Sequence, residues 1–316
     1  MGPKFLITDT HFGVKNNSVT WLKKQMEFFY EQFIPHLKKT PNAEVIHLGD
    51  VFDSRSSISP FIAQQVVQLF KDIANVCNQV TIIGGNHDYY SPSSDSVDSL
   101  SLLLGHIEGV VLIVRDPVIR GGDCFLPWYT YETLAQHAQN NARRFFVHAD
   151  IIGEIPQVKN VDIYSGHVHI PAKGKIPGGN LYNLGSVFAL NFADCNASRG
   201  YYVLDDSKPE DCRLQYFENK HSIRFWRLYN DEILQDPPYE STDYIELYID
   251  GPKMIESRFV KAIEKFNERY KNLWVFPTSE AANIDTEDFK FDNLEAAIEE
   301  CLPDKLKKKF QKLKKV

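Results

Sequence analysis

The chain has 316 residues, 43% hydrophobic and 24% charged, with a formal net charge of −7. These values suit a folded globular protein, and the acidic balance excludes whole-chain attraction to nucleic acid. No apolar run approaches the roughly 18 residues of a membrane span, so no membrane role is expected.

Lys4-Phe5-Leu6-Ile7 opens a strand with no signal-peptide pattern ahead of it. Cys77, Cys124, Cys195, Cys212 and Cys301 are scattered, with no CxxC pair. That pattern points to reduced thiols and a cytoplasmic location, not a disulfide frame. Charge is uneven. Residues 305–316 hold seven lysines and no acid, which leaves −14 on the rest. A grip on phosphate must therefore come from local basic groups and bound cations.

The first strand, Lys4 to Thr8, ends in Asp9-Thr10-His11. On an extended segment, positions i and i+2 share a face, so both side chains can reach one ion. Ser18 to Lys39 has apolar residues at three- and four-residue steps (Trp21, Leu22, Met26, Phe29, Phe33, Leu37), with Ser18 as cap. Pro35 is expected to kink or shorten that helix.

Glu44 to Leu48 is the second strand and ends in Gly49-Asp50-Val51-Phe52-Asp53. His47, inside it, reads as a core histidine. Pro60 to Val76 is a helix with proline in its first turn. Gln79 to Ile83 is the third strand, followed by Gly84-Gly85-Asn86-His87-Asp88. The order so far is β-α-β-α-β, with polar groups at the C-terminal ends of the strands, where α/β sheets place their sites.

Tyr89 to Ser99 reads as a polar loop before a short helix at Val97 to Leu104. Strands are expected at Val110–Val114, Val118–Arg120 and Cys124–Leu126, and a helix at Tyr131–Asn141. The next strand, Arg143 to Val147, ends at His148. Val161 to Tyr164 ends in Ser165-Gly166-His167-Val168-His169. Strands at 172–176, 181–184, 200–204 and 213–217 make the remainder of this part mostly β. Beyond residue 218 the pattern is β-β-α-β: strands Ser222–Leu228 and Asp243–Ile249, helix Ile255–Tyr270, strand Leu273–Phe276. Thr278 to Asp292 is a polar, acidic linker, and two short helices around Pro303 end the chain.

Each polar cluster by itself is also what a turn capping a strand looks like. Together they supply Asp9, His11, Asp50, Asn86, His148, His167 and His169, all oxygen or imidazole donors with no thiolate. Mixed oxygen and nitrogen sets suit manganese, iron or zinc. Seven donors are too many for one ion and suit two that share a carboxylate. Two ions roughly 3.5–4 Å apart are a phosphoryl-transfer device. His87, left without a ligand role, is placed to protonate a leaving oxygen or stabilise a transition state.

The series Asp9-x-His11, Gly49-Asp50-x-x-Asp53, Gly85-Asn86-His87-Asp88, His148, Gly166-His167-x-His169 resembles the calcineurin-like metallophosphoesterase superfamily. That resemblance implies an α/β fold, a two-sheet β-sandwich flanked by helices. It also implies one ion on Asp9, His11, Asp50 and His169, a second on Asp50, Asn86, His148 and His167, and His87 as catalytic histidine. Asp9-Thr10-His11-Phe12-Gly13-Val14 and Gly49-Asp50-Val51-Phe52-Asp53 further resemble the SbcD-type nucleases of double-strand-break repair, their phage members above all. That likeness implies a nuclease domain over 1–217, a small α/β capping domain over 218–277, and a linker and helical tail over 278–316.

It further implies Mn2+-dependent cleavage of DNA, 3′→5′ on duplex ends and endonucleolytic on single strands, in recombination and repair. The implied partners are an SMC-like ATPase and a second copy of the chain, with the dimer contact near 60–76 and 95–104. Leu294, Ile298, Leu302, Leu306, Phe310 and Leu313 leave an apolar stripe on the lysine-rich tail, read as a docking face for the ATPase, with a solvated tail or a DNA or membrane contact left open. Asp53 is expected to pair with His87 and raise its pKa. Two other readings stay open: a small-molecule phosphodiesterase or phosphatase on the same core, and a metal-free binding scaffold.

Overall fold

The computed structural model describes residues 2–91, 94–107, 111–128, 134–139, 142–151, 158–195, 197–235 and 239–278. The linker and tail expected beyond 278, with the stripe from Leu294 to Leu313, lie outside them.

Two six-stranded sheets form the body of the chain. The first runs in the order Leu214–Glu218, Gly200–Leu204, Lys4–Ile7, Glu44–His47, Gln79–Ile83, Val111–Val114. Its last four strands are mutually parallel and its first two antiparallel. The second runs Ala172–Ile176, Gly179–Asn183, Asp162–Gly166, Arg144–His148, Asp123–Leu126, Val118–Arg120. It is parallel over its four central strands and antiparallel at both margins.

The strands read as near-continuous apolar runs because both faces of each sheet are covered. Leu6, Ile46 and Ile83 point into the space between the sheets and meet Phe125, Phe146 and Tyr164 from the other side. Phe5, Ile7, Val45, Val80 and Ile82 point outward, under Trp21, Phe28, Phe29, Phe33, Val66, Leu69 and Phe70 of the flanking helices. On the second sheet, Phe145, Val147, Ile163 and Leu181 pack with Leu134 of the helix Leu134–Gln139. Within the sandwich, Phe125, Phe146, Tyr164 and Tyr182 are register neighbours on successive strands. Their rings stack at 5.2, 5.4 and 5.1 Å between centroids. Phe146 is fully buried, so Phe146→Ala is expected to cost about 3–5 kcal/mol, read as a lower denaturant midpoint at unchanged m-value.

The helical segment after Ser18 is neither broken nor ended at Pro35. It runs Val19–Glu27, a π-helical turn Phe28–Phe33, then Ile34–Lys38. The wider turn, in which the Ile34 N–H bonds to the Phe29 carbonyl, places Pro35 at the start of a new α-helical piece. There its missing N–H costs little. The stretch expected to be a loop after Asp88 contains a hairpin, Tyr89–Ser91 with Ser94–Asp98. The following helix is Ser99–Leu103, capped by the Asp98 carboxylate on the Ser101 N–H at 2.5 Å. The two strands are mostly polar in sequence, with Tyr89 and Asp98 buried but no run of alternating apolar residues, so hydrophobic alternation cannot announce them.

A third sheet, Phe225–Tyr229, Tyr244–Asp250 and Asn272–Thr278, is wholly parallel. Leu228, Ile245, Leu247 and Ile249 form one face with Phe259 and Phe266 of the helix Ser257–Arg269. On the other face Phe225 and Tyr244 reach Trp21, whose indole N–H lies 3.4 Å from the Tyr244 hydroxyl. Among the described residues, no helix is long and apolar enough to cross a membrane.

Candidate metal centre

The site forms where the two sheets present the C-terminal ends of their parallel strands. Backbone pairing continues past the first two strands: the Asp9 N–H bonds to Gly49 O, His11 to Asp50 O and Phe12 to Val51 O, at 3.0, 3.1 and 2.8 Å. The two loops therefore leave the sheet as one unit. Asp9, His11, Asp50 and His167 all have positive φ, at 51°, 46°, 52° and 82°. Non-glycine residues rarely adopt this conformation, which stores roughly 1–3 kcal/mol each. It also corrects the strand-pleat argument for Asp9-x-His11. Their side chains converge because two left-handed residues alternate, not because an extended segment puts them on one face. The same turn separates His167 from His169, which go to different groups.

Glycine is required where these loops touch. Gly49 has φ 95°, and a Cβ there would meet His148 Nδ1 and the Gly85 backbone. A Cβ on Gly85 would overlap the Asp50 carboxylate and its backbone nitrogen.

Asp9, His11 and His169 form one group of donors, and Asp50, His148 and His167 another. His11 Nε2 and His169 Nε2 each lie 3.8 Å from Asp9 Oδ1. Asp50 stands between the groups, with Oδ2 at 3.7 Å from His11 Nε2 and Oδ1 at 3.4 Å from His148 Nε2. Asn86 Oδ1 lies 3.0 Å from His148 Nε2 and 2.9 Å from His167 Nδ1. All seven expected ligands are thus brought together. Asp9, Asp50, His11 and His148 are buried. Asp9 Oδ1 and both ring nitrogens of His11 have no hydrogen-bond partner. Orphaned buried donors facing one another are costly unless something binds them, and an oxygen–imidazole set of this size fits two divalent cations.

His87 is held by two backbone contacts. Its N–H donates to Asp50 Oδ1 at 2.8 Å, and its Nδ1 lies 2.5 Å from the main-chain carbonyl of Asp53. A carbonyl only accepts, so Nδ1 carries the proton. This corrects the expected side-chain pairing: the Asp53 carboxylate lies instead 3.4 Å from His11 Nδ1. His47 is a buried core histidine bonded to Thr10 Oγ1 at 3.0 Å.

Asp194 and Trp128 were not read from the sequence as part of the site, and Asp88 stood in the motif without a role. Asp88 accepts N–H bonds from Gly85, Val51 and Phe52 at 2.9, 3.1 and 3.2 Å, tying the second and third loops together. Asp194 lies 3.9 Å from His169 Nδ1 and 3.0 Å from Arg199 Nη2. The Trp128 ring lies 4.7 Å from His167 and 6.0 Å from His148. Asn191 and Asp194 carry a capping-box spacing, which signals a turn but not its neighbour. Trp128 has no sequence signal.

Burial works against charge on His11, but the Asp53 and Asp9 carboxylates outweigh it and push its pKa up to about 10. Burial also opposes charge on His148, and Asp50 outweighs it, raising the pKa to about 9. Burial would raise both Asp9 and Asp50. The histidines, His11 for Asp9 and His148 for Asp50, win and hold them below the usual range. Burial, and then the Asp50 charge, push Asp88 up to about 7.

In the metal-free protein at neutral pH, His11 and His148 are therefore protonated, and a cation must displace those protons. Calorimetric metal titration in buffers of different ionisation enthalpy is expected to show about two protons released per chain at pH 7–8. Release falls as pH passes 9 to 10. The same shifts fix a stability window. Both pKa values are raised above the ordinary 6.5, so their contribution to the metal-free fold is complete below pH 6.5 and lost as pH rises through 9 to 10.

A model of the calcineurin-like phosphoesterase family matches residues 5–192. No curated protein matches the chain. Among solved structures, it is similar to an archaeal phosphodiesterase at 16% identity, covering 68% of this chain and 99% of that one, TM-score 0.38. It is also similar to the Pseudomonas putida nuclease MPE (15%, 63% and 84%, TM-score 0.35). A third is zinc-bound Vps29 of Entamoeba histolytica (14%, 68% and 91%, TM-score 0.34).

Proposed function

The chain belongs to the calcineurin-like phosphoesterase family, and on that premise we propose that it is a two-metal DNA nuclease, the hydrolytic subunit of a recombination and repair complex. The observation that carries the hydrolytic part is Asp50 between two donor groups, within 3.7 Å of His11 and 3.4 Å of His148. Asp9, His11, Asp50 and His169 would hold one ion, and Asp50, Asn86, His148 and His167 the other. Two bound divalent cations, Mn2+ in this reading, would supply Lewis acidity to the phosphate and lower the pKa of an attacking water.

The chain's own residues do the rest. The Asp53 carbonyl fixes the His87 tautomer, leaving Nε2 as the atom that meets substrate. As water adds to phosphorus, losing a proton to solvent, and the bond to the leaving strand breaks, the imidazolium form of His87 would give its Nε2 proton to the departing oxygen and take one back from water. Trp128 walls the His148–His167 side with an apolar ring.

DNA as substrate is supported by the motif series that resembles SbcD-type nucleases and by the third sheet, which lies beyond the family match. Tyr229, Tyr248 and Phe276 stack across its three strands at 5.4 and 5.2 Å. Tyr229 is 54% exposed and Phe276 39%, so the ladder offers bases a stacking surface. An SMC-like ATPase bound through the tail, and a second copy of the chain, complete the proposed assembly.

The test is cleavage of end-labelled duplex and single-stranded DNA with Mn2+, beside a chromogenic phosphodiester, with and without the ATPase. DNA cleavage is the expected result. Turnover of the small ester without DNA cleavage, even with the ATPase present, would overturn the nuclease reading in favour of a small-molecule phosphodiesterase.

A further inference from the structure

We infer that the two cation positions are unequal, and that the carboxylates of Asp53 and Asp194 make the Asp9–His11–His169 position the tighter one. The inference rests on the two-metal reading above. A ligating imidazole uses one nitrogen, and what faces the other sets how strong a donor it is. Behind His11, the Asp53 carboxylate lies 3.4 Å from Nδ1. Behind His169, the Asp194 carboxylate lies 3.9 Å from Nδ1. Both Nε2 atoms face Asp9 Oδ1 at 3.8 Å. Asp194 is held in place by Arg199 Nη2 at 3.0 Å and the Leu190 N–H at 2.8 Å.

The other position is backed differently. His148 Nδ1 faces the Leu48 carbonyl at 2.7 Å, a dipole and not a charge. Asn86 contributes a neutral oxygen where the first position has Asp9. Asp88, the nearby carboxylate, spends its oxygens on the N–H groups of Gly85, Val51 and Phe52. The first position therefore has two carboxylates of its own, Asp9 and the shared Asp50, and two more behind its histidines, of which Asp194 is ion-paired with Arg199 and bonded to the Leu190 and Asn191 N–H groups, leaving Asp53 the larger share of the effect. The second has the shared Asp50 alone. Asp53 and His169 are part-exposed, so solvent screens these charges in part, and several carboxylates this close still separate two affinities. Asp53 and Asp194 act through the histidines and are positioning residues.

The experiment is titration of the metal-free full chain with Mn2+, followed by the electron paramagnetic resonance signal of free Mn2+ and by calorimetry. Wild type is expected to bind in two resolved steps. Asp53→Asn should weaken the tighter step about 10–100-fold and leave the weaker one, with partial recovery in Asp53→Glu. Asp194→Asn should act on the same step. Asn86→Ala should remove the weaker step and spare the tighter. Two equal steps in wild type, or an Asp53→Asn effect confined to the step that Asn86→Ala removes, would overturn the inference while leaving the two-metal reading intact. No Mn2+ binding by wild type would overturn that reading, and the inference with it.

Discussion

His87→Ala is expected to lower phosphodiester hydrolysis by about 10²–10⁴-fold, the range for losing a positioned general acid, with Mn2+ affinity unchanged. The separation follows from geometry. His87 contributes a main-chain N–H to Asp50 Oδ1 at 2.8 Å, which alanine keeps. Its ring hangs from the Asp53 carbonyl and is not needed to complete either donor group. Parallel rate and Mn2+-binding measurements check this. An equal loss of binding and rate would make His87 a ligand. An ester with a good leaving group needs less protonation, so the deficit on a nitrophenyl ester is expected to be smaller than on DNA.

Asp50→Asn is expected to abolish activity and to weaken both Mn2+ steps together, because Asp50 is the carboxylate both groups share. It also acts on the metal-free fold. Asp50 is buried against His11 and His148, and both histidines hold their protons partly because of it. Removing one partner of a buried charge cluster costs about 3–5 kcal/mol. Without that charge His11 and His148 lose their protons at lower pH, so the loss of metal-free stability at pH 9 to 10 should move downward. Denaturant titrations of metal-free wild type and variant at pH 7 and 10 check it. A variant as stable as wild type, with one Mn2+ step left intact, would show that Asp50 serves a single position.

Much of the site was legible because its chemistry is written in residue types at strand ends. Asp9, His11, Asp50, Asn86, His148, His167 and His169 follow buried apolar strands, and glycines precede Asp50, Asn86 and His167. A buried strand followed by glycine and a polar ligand type is a local signal, since each part answers to backbone sterics and burial within a few residues. The order of strands and helices and the apolar face of Pro60–Ala74 were legible for the same reason. The π turn that carries the chain past Pro35 and the hairpin after Asp88 were not. The first is a compromise of helix geometry with packing, and the second is mostly polar in sequence, with no apolar alternation to leave a pattern.

What the sequence by itself determined is the inventory: buried strands alternating with helices, a β-β-α-β segment beyond residue 218, and a set of oxygen and imidazole donors with one spare histidine, while the two-sheet arrangement came from the family resemblance. What only the tertiary structure decided is the pairing. Asp53 lies 34 residues before His87 in the chain and serves it with a carbonyl, while its carboxylate goes to His11. Asp194 returns from a distant turn to stand behind His169. Left-handed backbone at Asp9, His11, Asp50 and His167 aims the ligands. Such pairings depend on φ and ψ at single residues and on contacts between distant segments, and local residue patterns encode neither.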